Sequence, residues 1–150
     1  MKALLVIDVQ KSYMTKYKTD LLAEINRQLD EAKKYQYDIV YIKNTKVLRR
    51  GVVTDEFADE LTHVSDNIFC KEKADAFSSE KLVSYLQSRN ISKVELIGVD
   101  GNSCIKESAK GAVQKGFDVS IILSCIGITN PKLFDRTKEQ LEKIGVRFIC

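Results

Sequence analysis

The stretch VELIGVDGNSCIKESAKGAVQKGFDVSIIL, residues 94–123, changes its hydrophobic period twice, and that change decides the fold. Val94 to Val99 is a short apolar run of strand type. From about 103 to 115 the spacing becomes helical, with Ile105, Ala109, Ala112 and Val113 on one face. Gly116 is placed to end that helix, because helix C-termini favour a left-handed residue and glycine adopts that conformation without a Cβ penalty. Val119 to Leu123 is again apolar throughout. A strand without polar alternation needs cover on both faces, and two such strands joined by a helix read as a parallel pair.

The same alternation extends to both ends of the chain. Ala3 to Ile7 is a strand, and Leu22, Ile25, Leu29 and Ala32 recur at helical spacing in a polar stretch from about 20 to 36. Tyr37 to Ile42 and Asn67 to Cys70 read as further strands, and a helix from about Ser79 to Asn90 turns Leu82, Val83 and Leu86 inward. Asn130 and Pro131 suit the cap and first position of a last helix, with Phe134, Thr137, Leu141 and Ile144 inward and Gly145 ending it. Val146 to Ile149 closes the series. The expected architecture is a three-layer α/β/α domain over 1–150, Rossmann-like, with a mostly parallel six-stranded sheet. At 150 residues one core suffices, burying close to ~70% of the unfolded surface.

Composition narrows the function classes. The 24 basic and 21 acidic side chains are interspersed, unlike the basic stripe of a nucleic-acid binder, so no nucleic acid is expected as a partner. No segment reaches the ~18 apolar residues of a membrane span, and MKALLVIDVQ reads as a strand and not a signal peptide. Cytoplasmic localisation and no membrane partner follow as expectations. The four cysteines, 70, 104, 125 and 150, lack metal-ligand spacing and read as reduced thiols. A dinucleotide-binding domain is disfavoured, since VQKSYM and not a glycine-rich turn follows the first strand.

In open α/β sheets ligands bind beyond the carboxyl ends of the strands. Asp8 ends the first strand, Lys71 follows the third, and Cys104 starts the helix after the fourth. The stretch 44–66 has the length of a functional loop and opens at the same rim.

Three segments, LLVIDVQ at 4–10, KEKADAF at 71–77 and LIGVDGNSC at 96–104, resemble in order the signature stretches of isochorismatase-like cysteine hydrolases. The resemblance covers nearly the whole chain. It implies Cys104 as nucleophile, Asp8 as general base and Lys71 as the third member of a catalytic triad. It also implies a cis peptide at Val99-Asp100, with the backbone N–H groups of Asp100 and Cys104 forming an oxyanion hole. A cation and a helix N-terminus both lower a thiol pKa, so Lys71 and the helix start are expected to activate Cys104. The Asp100 carboxylate must then be paired or point away from the oxyanion, since family members often carry a smaller or uncharged residue there.

Among binding residues, Tyr13 and Phe77 stand where the resemblance implies a pocket lining, and Gln10 is placed to orient Asp8 or Lys71. Arg49, with Arg50, is a candidate partner for a substrate carboxylate. Nicotinamidases, one branch of the family, hold a metal with several histidines; this chain has only His63, so no metal and no cofactor are expected. The expected activity is cleavage of a C–N bond in a small amide, ureido or carbamoyl substrate through a Cys104 thioester. The alternative is a non-catalytic binding or interaction protein that retains the fold. By the same resemblance the chain is a homo-oligomer, a dimer.

Overall fold

Ala3 to Ile7 are all fully buried, and that uninterrupted apolar run makes β1 (Lys2–Ile7) an inner strand flanked by β2 (Asp38–Leu48) and β5 (Lys93–Val99). The structure is a computed structural model; it describes residues 1–48 and 51–150, leaving aside the side chains of 46–54. Beyond β5 lie β6 (Asp118–Gly127) and β7 (Arg147–Ile149), and beyond β2 lies β4 (Ile68–Lys71), all parallel to their neighbours. These are the six expected strands. A seventh, β3 (Gly51–Thr54), pairs antiparallel with Thr45–Leu48 at the far end of β2.

That hairpin corrects the reading of 44–66 as one bare loop. The run Thr45, Val47, Val52, Val53 and Thr54 is rich in β-branched residues, which favour extended backbone. Lys71 is likewise the last residue of its strand, not the first after it. β6 also runs four residues past Leu123, with a register shift against β5 between Leu96 and Gly98.

Alternating side chains of β1 divide the core. Leu4 and Val6 pack with Ile25, Leu29 and Ala32 of α2 (Thr19–Lys34) on one face. Ala3, Leu5 and Ile7 face α3 (Glu80–Ser88), α4 (Cys104–Gln114) and α5 (Pro131–Lys143) on the other. Each fully buried aliphatic side chain contributes roughly 1.5–3 kcal/mol relative to exposure, and the two clusters hold the strand ends in place. Ser79 and Asn130 cap α3 and α5 by accepting from Leu82 N and Leu133 N, as the cap residues allow. Ile144, expected inward, is 44% exposed, because it lies past the last turn of α5. Among the described residues no helix is long and apolar enough to cross a membrane.

Candidate active site

The chain runs outward from β1 through β2 to β4 and then returns to place β5 on the other side of β1. A crevice opens where the strand order reverses, above the carboxyl ends of β1 and β5. Two backbone features shape it. Asp8 takes a left-handed conformation, φ +56°, held by Asp8 N donating to Ile42 O at 3.1 Å. Gly98 has φ +119°, and a Cβ there would lie 2.0 Å from Ile7 O, so only glycine lets β5 approach the end of β1 this closely.

Three polar side chains meet at this rim. Lys71 Nζ lies 3.0 Å from Asp8 Oδ2 and 3.4 Å from Cys104 Sγ. Asn44 Oδ1 at 3.3 Å and Lys73 O at 3.1 Å accept from the same ammonium. The Lys71 and Asp8 side chains are 1% and 2% exposed, so the pair is removed from water on every side but the cleft. Asp8 Oδ1 is buried without a hydrogen-bond partner, which leaves it an acceptor waiting for a donor.

Burial sets the proton affinities here. It raises the Asp8 carboxyl above its ordinary value against the opposing pull of the Lys71 ammonium. Burial also pushes the Cys104 thiol up to about 11, with the Asp8 charge adding to the rise and Lys71 opposing it. The sequence reading expected the cation and the helix start to lower this thiol. Desolvation and a second charge at the same point reverse that balance. Cys104 is the first residue of α4, and burial there favours the thiol over the thiolate.

The binding residues read from the sequence separate into distinct places. Tyr13 lines the cleft, and its hydroxyl accepts from Asn44 Nδ2 at 2.8 Å. Gln10 is fully buried and serves neither Asp8 nor Lys71. It donates to Asn44 O and Asp55 O and accepts from Asn44 N, fastening the backbone beneath Asn44. Phe77 does not line the cleft; it is 1% exposed in the core, 5.4 Å from the Phe117 ring. Arg49 and Arg50 lie outside the described residues. Asn44 itself, central to the Lys71 contacts, carries no sequence signal, because it sits within β2 at no diagnostic spacing.

The Val99-Asp100 peptide is cis. In the turn that follows, Gly101 N donates to Gly127 O, Asn102 N to Asp100 Oδ1, and Ser103 N and Ile105 N to Asp100 O. The amides of Asp100 and Cys104 form no hydrogen bond among the described residues. The Asp100 carboxylate is paired: Oδ2 accepts from Tyr17 OH at 2.8 Å and Thr129 N at 2.9 Å, and Oδ1 from Asn102 N at 2.8 Å. The cleft above Cys104 has a volume of about 540 Å³, walled by Tyr13, Tyr17, Val99, Asn130 and Leu133. That suits a small molecule.

Among the described residues no three His, Cys, Asp or Glu side chains cluster to hold a metal. His63, the chain's one histidine, packs against the rings of Tyr41 and Phe57 at 5.2 and 5.3 Å, so the residues present do not fit a histidine-held ion.

The family description "Isochorismatase domain" matches residues 2–150, and the chain belongs to that family. Its fold is similar to the N-carbamoylsarcosine amidase of Thermoplasma acidophilum, with TM-score 0.85 and 16% identity over 99% of this chain and 95% of that one. The pyrazinamidase of Pyrococcus horikoshii in complex with zinc gives TM-score 0.82 and 19% identity, covering 99% of this chain and 98% of that one. Maleamate amidohydrolase of Pseudomonas putida is 32% identical over 60 residues, which is 40% of this chain and 28% of that enzyme. The match therefore spans little more than a quarter of the curated relative's length.

Proposed function

We propose that the protein is a cysteine-dependent hydrolase that cleaves the C–N bond of a small amide, ureido or carbamoyl compound. One observation carries this reading: a buried ammonium 3.0 Å from a carboxylate and 3.4 Å from a thiol, at the floor of a small-molecule cleft. The amide-cleaving names of the maleamate and N-carbamoylsarcosine relatives agree with it.

The free Oδ1 of Asp8 takes the thiol proton as Sγ attacks the substrate carbonyl carbon. A carboxylate with a raised pKa is a stronger base than an ordinary one, and the Lys71 ammonium beside sulfur stabilises the thiolate as it forms. The two uncommitted amides of Asp100 and Cys104 are donors for the oxyanion, worth several kcal/mol of barrier lowering in such a site. Collapse of the tetrahedral species breaks the C–N bond, and Asp8 returns its proton to the departing amine. Water, deprotonated by Asp8, then attacks the thioester. The carboxylic or carbamic acid leaves, and the proton returns to sulfur.

Small amides, ureas and carbamoyl compounds screened for ammonia or amine release provide the test. Turnover that disappears in Cys104→Ala, with an unchanged circular dichroism spectrum, supports the reading. Full turnover in that variant refutes Cys104 as the nucleophile, and no turnover across the screen together with tight binding of one compound favours the non-catalytic binding protein instead.

A further inference from the structure

We propose that Tyr17 is a positioning residue that acts through Asp100, holding the carboxylate of that residue away from the oxyanion which its own backbone amide receives; this rests on the hydrolase reading above. Asp100 supplies a donor to the site and brings a negative charge on the same residue. Unrestrained, that charge opposes a developing oxyanion as any like charge does.

Three donors restrain it. Two are backbone amides, Asn102 N and Thr129 N, set by the turns on either side. The third, Tyr17 OH at 2.8 Å, is the one side-chain donor among the described residues, and it reaches across from a segment 83 positions earlier. Oδ2 depends on Tyr17 and Thr129 alone. Burial and the Asp100 charge raise the Tyr17 phenol, so the hydroxyl keeps its proton and remains a donor.

The ring of Tyr17 is itself held. A Cβ on Gly127 would lie 2.6 Å from two of its ring carbons, so the backbone at Gly127 is in close contact with the ring. The carbonyl of the same Gly127 accepts from Gly101 N at 2.8 Å. One residue at the end of β6 thus fixes both the oxyanion turn and the phenol that pairs with Asp100. Tyr17 also forms the wall between the cleft and a neighbouring cavity of about 480 Å³, and Asp100 lines the cleft side. Losing the hydroxyl leaves the Asp100 carboxylate held by two backbone amides alone and loosens its restraint against turning into the cleft, without disturbing the ring.

A double-mutant cycle with Tyr17→Phe and Asp100→Asn tests this, because it isolates the coupling between two residues. The readouts are kcat and KM on an amide substrate, and dissociation of propionaldehyde from Cys104 followed by 13C NMR. The aldehyde adds the thiol S–H across its C=O, so the new thiohemiacetal oxygen occupies the oxyanion position without any turnover. Tyr17→Phe is expected to lower kcat and weaken the adduct by about tenfold, the low end for a charge-assisted hydrogen bond, with KM changed less than about twofold. In the Asp100→Asn background the same change is expected to cost less than about twofold. Equal losses in both backgrounds overturn the role of Tyr17 and leave the hydrolase reading standing. A wild-type protein that forms no adduct at Cys104 overturns both.

Discussion

Replacing Asp8 by Asn removes one charge from a pair that is 1–2% exposed and 3.0 Å apart, and leaves the shape nearly unchanged. At an effective dielectric constant of about 20 the lost attraction is on the order of 5 kcal/mol. The cost of burying the Lys71 ammonium remains after the substitution, now offset only by neutral groups such as Asn44 Oδ1, Lys73 O and the Cys104 thiol. Breaking a buried pair from one side therefore costs about 3–5 kcal/mol, whereas removing both charges together is often neutral. Urea denaturation measures this directly, as a lower midpoint at unchanged slope. For a chain of this size the loss corresponds to roughly 6–20 °C in Tm. Asp8→Asn with Lys71→Met is expected to recover stability to within about 1 kcal/mol of wild type while remaining inactive. A single Asp8→Asn variant that loses under about 1 kcal/mol would refute the reasoning, since Lys71 would then not depend on Asp8 for its charge.

Proton affinities give two further tests. In the proposed mechanism Asp8 acts as base only when ionised, and its pKa is raised, so kcat/KM should fall with decreasing pH through a limb above the ordinary carboxylate value of 3.8; a limb at or below pH 4 contradicts this. Cys104, with its thiol pushed up to about 11, should react with iodoacetamide at a rate that keeps climbing from pH 7 to pH 10. Mass spectrometry follows that site by itself, and a plateau below pH 8 is the adverse result. Phe77→Ala should cost about 3–5 kcal/mol by opening the core around Phe117, with KM unchanged under folding conditions. A KM shift without destabilisation would return Phe77 to the substrate.

What could be read from the sequence, and what could not, follows from the range of the forces involved. Strands apolar on both faces announce themselves locally, and Asn130 with Pro131 marks a helix start through groups three residues apart. The rims of those strands, with Asp8, Lys71 and Cys104 on them, follow from the order of elements. Tyr17 and Asn44 do not, because each works through partners tens of residues away whose meeting depends on the crossovers. Phe77 and Gln10 misled for a related reason. Residues flanking a motif share its neighbourhood in sequence, yet the tight 3-10 turn at Ala76–Ser78 sends Phe77 into the core and the turn after β1 places Gln10 under Asn44.

The reversed thiol shift has a chemical consequence. A site that favours the neutral thiol of Cys104 limits its exposure to stray oxidants and alkylators, and it leaves Asp8 with one oxygen uncommitted. On the proposed mechanism, charge then separates onto sulfur only when a carbonyl arrives to receive it, with the amides of Asp100 and Cys104 as donors to the oxygen. Burial that raises both groups favours concerted transfer in the proposed mechanism, since each pKa is moved in the same direction and neither the thiolate nor the protonated acid need accumulate. Replacing Lys71 by Met removes the cation that opposes this rise, so the thiol of that variant should titrate higher still than in the wild type. A lower thiol pKa in Lys71→Met, measured from the pH dependence of alkylation, is the result inconsistent with such a site.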